Sequence, residues 1–107
     1  AGFSLIEFDT CVRHQIPVIA VIGNDGGWTQ IARDQVVILE DDVGTVLTKM
    51  DYHTVAEGCG AHGICVSEAK EIQAALEEAR AVAATGKPVV INLHIGVTDF
   101  RKGSISM

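Results

Sequence analysis

VIAVIGNDGGWTQ, residues 18–30, is the stretch whose reading decides the fold. It continues a β-branched apolar run, PVIAVI over residues 17–22, that stops at Gly23. Such a run suits a parallel strand covered on both faces. Asn24 to Gly27 then read as a turn. In an open parallel sheet, ligands bind at the carboxyl ends of the strands. Asn24 offers an amide oxygen and Asp25 a carboxylate, while Gly26 and Gly27 permit close backbone approach and positive φ. Exposed carbonyls at such an end could join a Mg²⁺ shell, which takes oxygen ligands alongside substrate phosphates. An ordinary strand-to-helix turn asks for the same N-D-G-G, and turn chemistry suffices to explain the local pattern. Asp25 and Gln30 read as caps of that turn rather than as substrate contacts.

Working outward, residues 3–14 place Leu5, Phe8 and Val12 on one face, with Ile6 alongside, and predict an amphipathic helix. Pro17 sets its limit. WTQIARDQ, 28–35, could begin a helix, but VVILEDDVGTVLTK after it mixes short apolar runs with charges and Gly44, and 28–50 is expected to be irregular with short helical turns. DYHTVAEG, 51–58, predicts a short helix with Asp51 as N-cap and Gly58 or Gly60 as stop. GICV, 63–66, is a short buried strand. Residues 68–84 give the clearest helix. Ser67 is its expected N-cap, Ile72, Ala75, Leu76, Ala79 and Ala83 share a face, and Gly86 is the expected stop. VVINLHI, 89–95, is a second long buried strand. The order α-β-(irregular)-α-β-α-β argues for α/β architecture: a parallel sheet with flanking helices. No strand precedes the opening helix, so an incomplete sheet is expected on that side.

The 107 residues suit one domain. Apolar residues make up 48% of them, high for a free-standing domain of this size, and predict faces buried against another domain or another chain. The net charge of −6 with scattered Lys and Arg excludes a basic nucleic-acid footprint. No apolar run reaches the ~18 residues of a membrane span. No signal peptide is visible, and the three irregularly spaced cysteines point to a reduced, cytoplasmic setting.

Other groupings carry less. Cys59-x-x-His62-x-x-Cys65 has zinc-type residues but no fourth ligand at sensible spacing. Cys11 and His14 are helical neighbours without an oxyanion hole or orienting group. His94 reads as a packed or hydrogen-bonded core histidine. Glu68, Glu71, Glu77 and Glu78 read as a solvated face.

AGFSLIEFDTCVRHQIPVIAVIGNDGGW resembles the diphosphate-binding segment of thiamine-diphosphate enzymes. That signature opens with Gly-Asp-Gly and closes with a pair of asparagines or a variant of that pair, here departing in its first member. The pair stands here as Gly23-Asn24, and the chain begins just after the place of Gly-Asp-Gly. DYHTVAEGCGAHGICV and GKPVVINLHIGVTDFRKGSISM resemble the family's helix-Gly-strand passage and its closing strand and tail. The likeness covers residues 1–107, read as the C-terminal part of a diphosphate-binding domain. It is similar to the acetolactate synthase-like proteins, which are related to 2-hydroxyacyl-CoA lyases and oxalyl-CoA decarboxylases.

The resemblance implies thiamine diphosphate and Mg²⁺ as cofactors. Asn24 would give a side-chain oxygen and Gly26 a carbonyl to the metal. Ala1 and Gly2 would lie near the diphosphate, at a helix N-terminus that favours anions. Asp25, Gly26, Gly27 and Trp28 would line the cofactor, the tryptophan walling the site. The activating glutamate would come from a pyrimidine-binding domain or subunit, so a homo-oligomer is expected and this chain should not catalyse alone. Its function would be to anchor the diphosphate in a C–C lyase or carboligase acting on 2-keto acids or 2-hydroxyacyl-CoAs. The alternative is an interaction or assembly module of the same ancestry that no longer binds cofactor. No residue of the chain is assigned a catalytic role.

Overall fold

The computed structural model describes residues 5–96, apart from the side chain of Gln30. A 3₁₀ turn at Leu5–Glu7 leads into α1 (Phe8–Arg13), followed by β1 (Ile19–Asn24), α2 (Thr29–Leu39), α3 (Tyr52–Gly58), β2 (His62–Val66), α4 (Ile72–Ala83) and β3 (Val89–His94). The strands form one sheet in the order β1-β3-β2. β2 and β3 are parallel, with His62 opposite Val89 and Val66 opposite Leu93. β1 meets β3 through the Val89 N–H on the Val18 carbonyl, 2.8 Å, and the Ile95 N–H on the Asn24 carbonyl, 3.0 Å. The constant offset between those two pairs is that of a parallel ladder. The chain is thus α/β with a parallel sheet and flanking helices, as the alternation of elements predicts.

The chain divides into two compact units. The first holds the described residues up to Gly23 together with Asp51–His94, and contains the core. Alternate residues of β3 serve opposite sides of the sheet, as a pleated strand requires. Val89 and Ile91 pack with Val66 and with Ala75 and Ala79 of α4. Val90 packs with Leu5, Ala56 and Ala61, joined by Phe8, Val12, Ile22 and Tyr52. Alanines at the helix contacts keep backbone and sheet close. The limit is reached at Gly63, where an added Cβ would collide with the carbonyl oxygen of His53 and lie 2.8 Å from its carbon.

Several sequence expectations need correction. β1 runs on through Gly23 to Asn24 and is not covered on both faces, for Ile19 and Val21 are exposed while Ile22 packs inward. Within the segment expected to be irregular, residues 29–39 form the eleven-residue helix α2, which starts where WTQIARDQ offered a helical start and runs on through Val36–Leu39. Ser67 does not cap the helix that follows it. Glu68 holds the N-cap of the 3₁₀ turn Ala69–Glu71 that leads into α4. The Glu71 carboxylate there accepts the backbone N–H of Glu68 at 3.0 Å, the reciprocal half of a capping box. Nor are the acidic residues merely solvated, since Glu78 lies 2.8 Å from Nε2 of His62 and ties α4 to β2. Asp51 stands at the N-cap of α3 without a side-chain cap bond; its carbonyl accepts the N–H of Thr54 and of Val55.

Candidate functional site

The second unit comprises Asn24–Met50 and the described residues after His94. It is organised around the turn that ends β1. Asn24 is buried, and its backbone and side chain are both engaged. Its carbonyl accepts the Ile95 N–H, its Nδ2 donates to the Met50 carbonyl at 3.0 Å, and its Oδ1 accepts the Gly26 N–H at 3.2 Å. The last contact is an Asx turn, the local geometry asparagine favours. Asp25 repeats the pattern one residue on. Its Oδ1 accepts the Gly27 N–H at 3.1 Å and its Oδ2 accepts the Thr29 hydroxyl, so both carboxylate oxygens cap the turn and the start of α2.

Gly26 adopts φ +73°, a conformation in which glycine avoids the Cβ penalty. Its carbonyl accepts the Leu47 N–H at 2.7 Å, and the Trp28 N–H donates to the Thr45 carbonyl at 2.8 Å. Gly27 and Val46 thereby form an antiparallel bridge. A Cβ at Gly27 would lie 3.2 Å from the Thr45 carbonyl oxygen, and one at Gly26 would lie 2.9 Å from Cγ of Lys49. Trp28 is 44% exposed.

Asn24, Asp25, Gly26, Gly27 and Trp28 are therefore brought together in one tightly bonded turn. Ala1 and Gly2 lie outside the described residues, as does the tail from residue 97. Sequence reasoning missed the segment Thr45–Met50, whose Thr45, Leu47, Lys49 and Met50 are partners of the turn. Thr45 is buried there, which no local sequence pattern announces.

The remaining polar groupings lie in the first unit. His94 is half-buried, with Nε2 3.9 Å from Sγ of Cys65. Asn92, fully buried in the central strand, places Nδ2 3.2 Å from Nδ1 of His53. Among the described residues, no helix is long and apolar enough to cross a membrane.

The family model "Thiamine pyrophosphate enzyme, C-terminal TPP binding domain" matches residues 1–93. The chain belongs to that family. Among curated relatives it is 54% identical to 2-hydroxyacyl-CoA lyase 2 of Bos taurus and 52% identical to that of Homo sapiens. Each match covers 99% of this chain and 17% of the relative. It is 38% identical to a protein named "Probable acetolactate synthase" from Mycobacterium bovis, over 86% of this chain and 16% of that protein. The chain thus spans about a sixth of the length of the relatives it matches.

The oxygens at the turn fit a hard divalent cation in kind. Asn24 Oδ1 accepts the Gly26 N–H and the Gly26 carbonyl accepts the Leu47 N–H; both are neutral amide oxygens, the kind of donor atom such an ion takes. Mg²⁺ characteristically takes a few protein oxygens and completes its shell with phosphate and water.

Proposed function

We propose that this chain forms part of the diphosphate-binding domain of a thiamine-diphosphate-dependent C–C lyase or carboligase, and that the Asn24–Trp28 turn anchors the cofactor through Mg²⁺. The observation that carries the reading is the position of that turn. It stands at the carboxyl end of a parallel strand, with Gly26 at positive φ and two oxygens of the predicted type in one short segment. The names of its relatives favour a 2-hydroxyacyl-CoA as substrate, with a 2-keto acid the other class.

Asn24 would give Oδ1 and Gly26 its carbonyl to the metal. Gly27 would let the diphosphate approach the backbone, and Trp28 would wall the site. Ala1 and Gly2 would stand by the diphosphate. When bound, thiamine diphosphate supplies the nucleophilic carbon and electron sink for carbon–carbon bond cleavage or formation. The residues of this chain hold and orient it; the group that activates it would come from a pyrimidine-binding domain or subunit. The chain by itself would be inactive, and the working enzyme a homo-oligomer.

A second reading is favoured by one feature. Asn24 Oδ1 and the Gly26 carbonyl are already hydrogen-bonded, so the turn is self-sufficient without a ligand and could persist in a module that binds no cofactor.

Calorimetric titration with thiamine diphosphate and Mg²⁺ together separates the two. Metal-dependent binding that Asn24→Ala abolishes supports the anchoring role. Equal binding by the variant would refute the role of Asn24, and no binding by either protein would favour the second reading.

A further inference from the structure

The chemistry assigned to the turn uses Asn24 and Gly26, yet neither holds its position alone. The Gly26 carbonyl is oriented by the Leu47 N–H, and the Asn24 amide by the Met50 carbonyl. Lys49 lies between those two partners in sequence. Its stem packs on Gly26, with Cγ 2.9 Å from the place a Cβ would occupy, so it fills the space that glycine leaves open. Its Nζ donates to the Ile95 carbonyl at 3.0 Å, and the N–H of that same Ile95 is bonded to the Asn24 carbonyl. The side chain therefore spans from the Gly26 backbone to the residue paired with Asn24. The contacts close a ring: Asn24, Gly26, Leu47, Lys49, Ile95 and back to Asn24.

We propose that Lys49 is a positioning residue for the metal-binding turn, its stem holding Gly26 and its ammonium holding the strand end at Ile95. The inference rests on the reading of Asn24 and Gly26 as metal ligands. Lys49 touches neither metal nor diphosphate in this role. It fixes the separation of the two oxygens, and Mg²⁺ is the ion whose near-octahedral shell tolerates least error in it. Two parts of one side chain do two jobs, and substitutions can separate them. Methionine keeps an unbranched stem over Gly26 but loses the donor, while arginine keeps both.

The experiment measures thiamine diphosphate binding by equilibrium dialysis across a Mg²⁺ series, on the native gene product and on Lys49→Met and Lys49→Arg. The unfolding midpoint of each is read in EDTA. In Lys49→Met the Mg²⁺ concentration for half-saturation should rise about five- to tenfold, the equivalent of one ordinary hydrogen bond. Lys49→Arg should stay within about twofold of wild type, and all three unfolding midpoints should coincide. Wild type that binds with an unchanged Mg²⁺ requirement in Lys49→Met overturns the role of Lys49 alone. A lowered unfolding midpoint in Lys49→Met makes Lys49 a general structural residue and overturns the proposal as well. Wild type without metal-dependent binding overturns the ligand reading together with everything built on it.

Discussion

Helices α4 and α2 have nearly the same length and opposite relations to their surroundings. α4 buries Ala75 and Ala79, four residues apart, against Val66, Val89 and Ile91, and the Glu71 carboxylate closes the turn before it. α2 has Trp28 at its N-cap, with no side-chain cap bond from it, and Glu40 at its C-cap in the left-handed region. It leaves Ile31, Val36, Val37, Ile38 and Leu39 exposed. One helix is held by packing on a sheet. The other is held by hydrogen bonds at its entry, where Asp25 takes the Thr29 hydroxyl and Trp28 pairs with Thr45. The difference divides the molecule into a region whose stability lies in apolar burial and a region whose order lies in a bonded turn.

The hardest blow to the packed region should come from Gly63→Ala. The new methyl group meets the backbone carbonyl of His53, which no rotamer change can move aside. α3 must lift from β2, and the cost is about 3 kcal/mol or more, at the severe end for point substitutions. Urea denaturation of the variant is the check. A loss under about 1 kcal/mol would mean that α3 is not held against the sheet as described.

Ile91→Ala comes next. The side chain is 3% exposed in the central strand, between α4 and the sheet. Its truncation removes buried methylenes and leaves a cavity, for an expected loss of about 2–5 kcal/mol in the same assay.

These residues also explain what the sequence could and could not reveal. α4 was legible from its one apolar face, β2 and β3 from their short apolar runs, and α3 from the turn chemistry at its ends. α2 was not, because Val36-Val37-Ile38-Leu39 runs without a period and suggests neither an amphipathic helix nor a loop. The Ser67 cap was misjudged because the residue three positions after it is Lys70; the carboxylate that completes a capping box stands three after Glu68. The apolar run of β1 implied cover on both faces, but a run records hydrophobicity and not which neighbours are present. At the turn, the Asx geometry of Asn24 and Asp25 was local and therefore readable. Its partners Thr45, Leu47, Lys49 and Met50 lie some twenty residues away, and no local pattern announces them.

Gly26→Ala tests the bonded region and should cost less than either core change. Alanine at φ +73° carries a penalty of about 1–2 kcal/mol. The 2.9 Å contact with Cγ of Lys49 adds to that cost, because the stem must shift while its Nζ is bonded to the Ile95 carbonyl. The loss should be local. Hydrogen exchange should quicken at the Leu47 and Trp28 amides, both bonded within the turn, and leave the Ile64 and Ile91 amides unchanged. Equal acceleration in β2 and β3 would mean that the turn and the sheet unfold as one, and the contrast between the two regions would fail.

The smallest effect is the sharpest comparison. Ile38→Ala removes the same atoms as Ile91→Ala, from a side chain that is 75% exposed. Little transfer energy is lost, because most of that surface is in water already. Alanine is also the better helix former by a few tenths of a kcal/mol. The two contributions oppose each other, so the unfolding free energy should stay within about 0.5 kcal/mol of wild type. The ratio of the two isoleucine losses then measures directly how far burial, rather than residue type, governs stability in this chain. A loss at Ile38 approaching that at Ile91 would require α2 to be covered in solution, and repeating the measurement at tenfold dilution would tell whether a second copy provides the cover, since only that contribution depends on concentration.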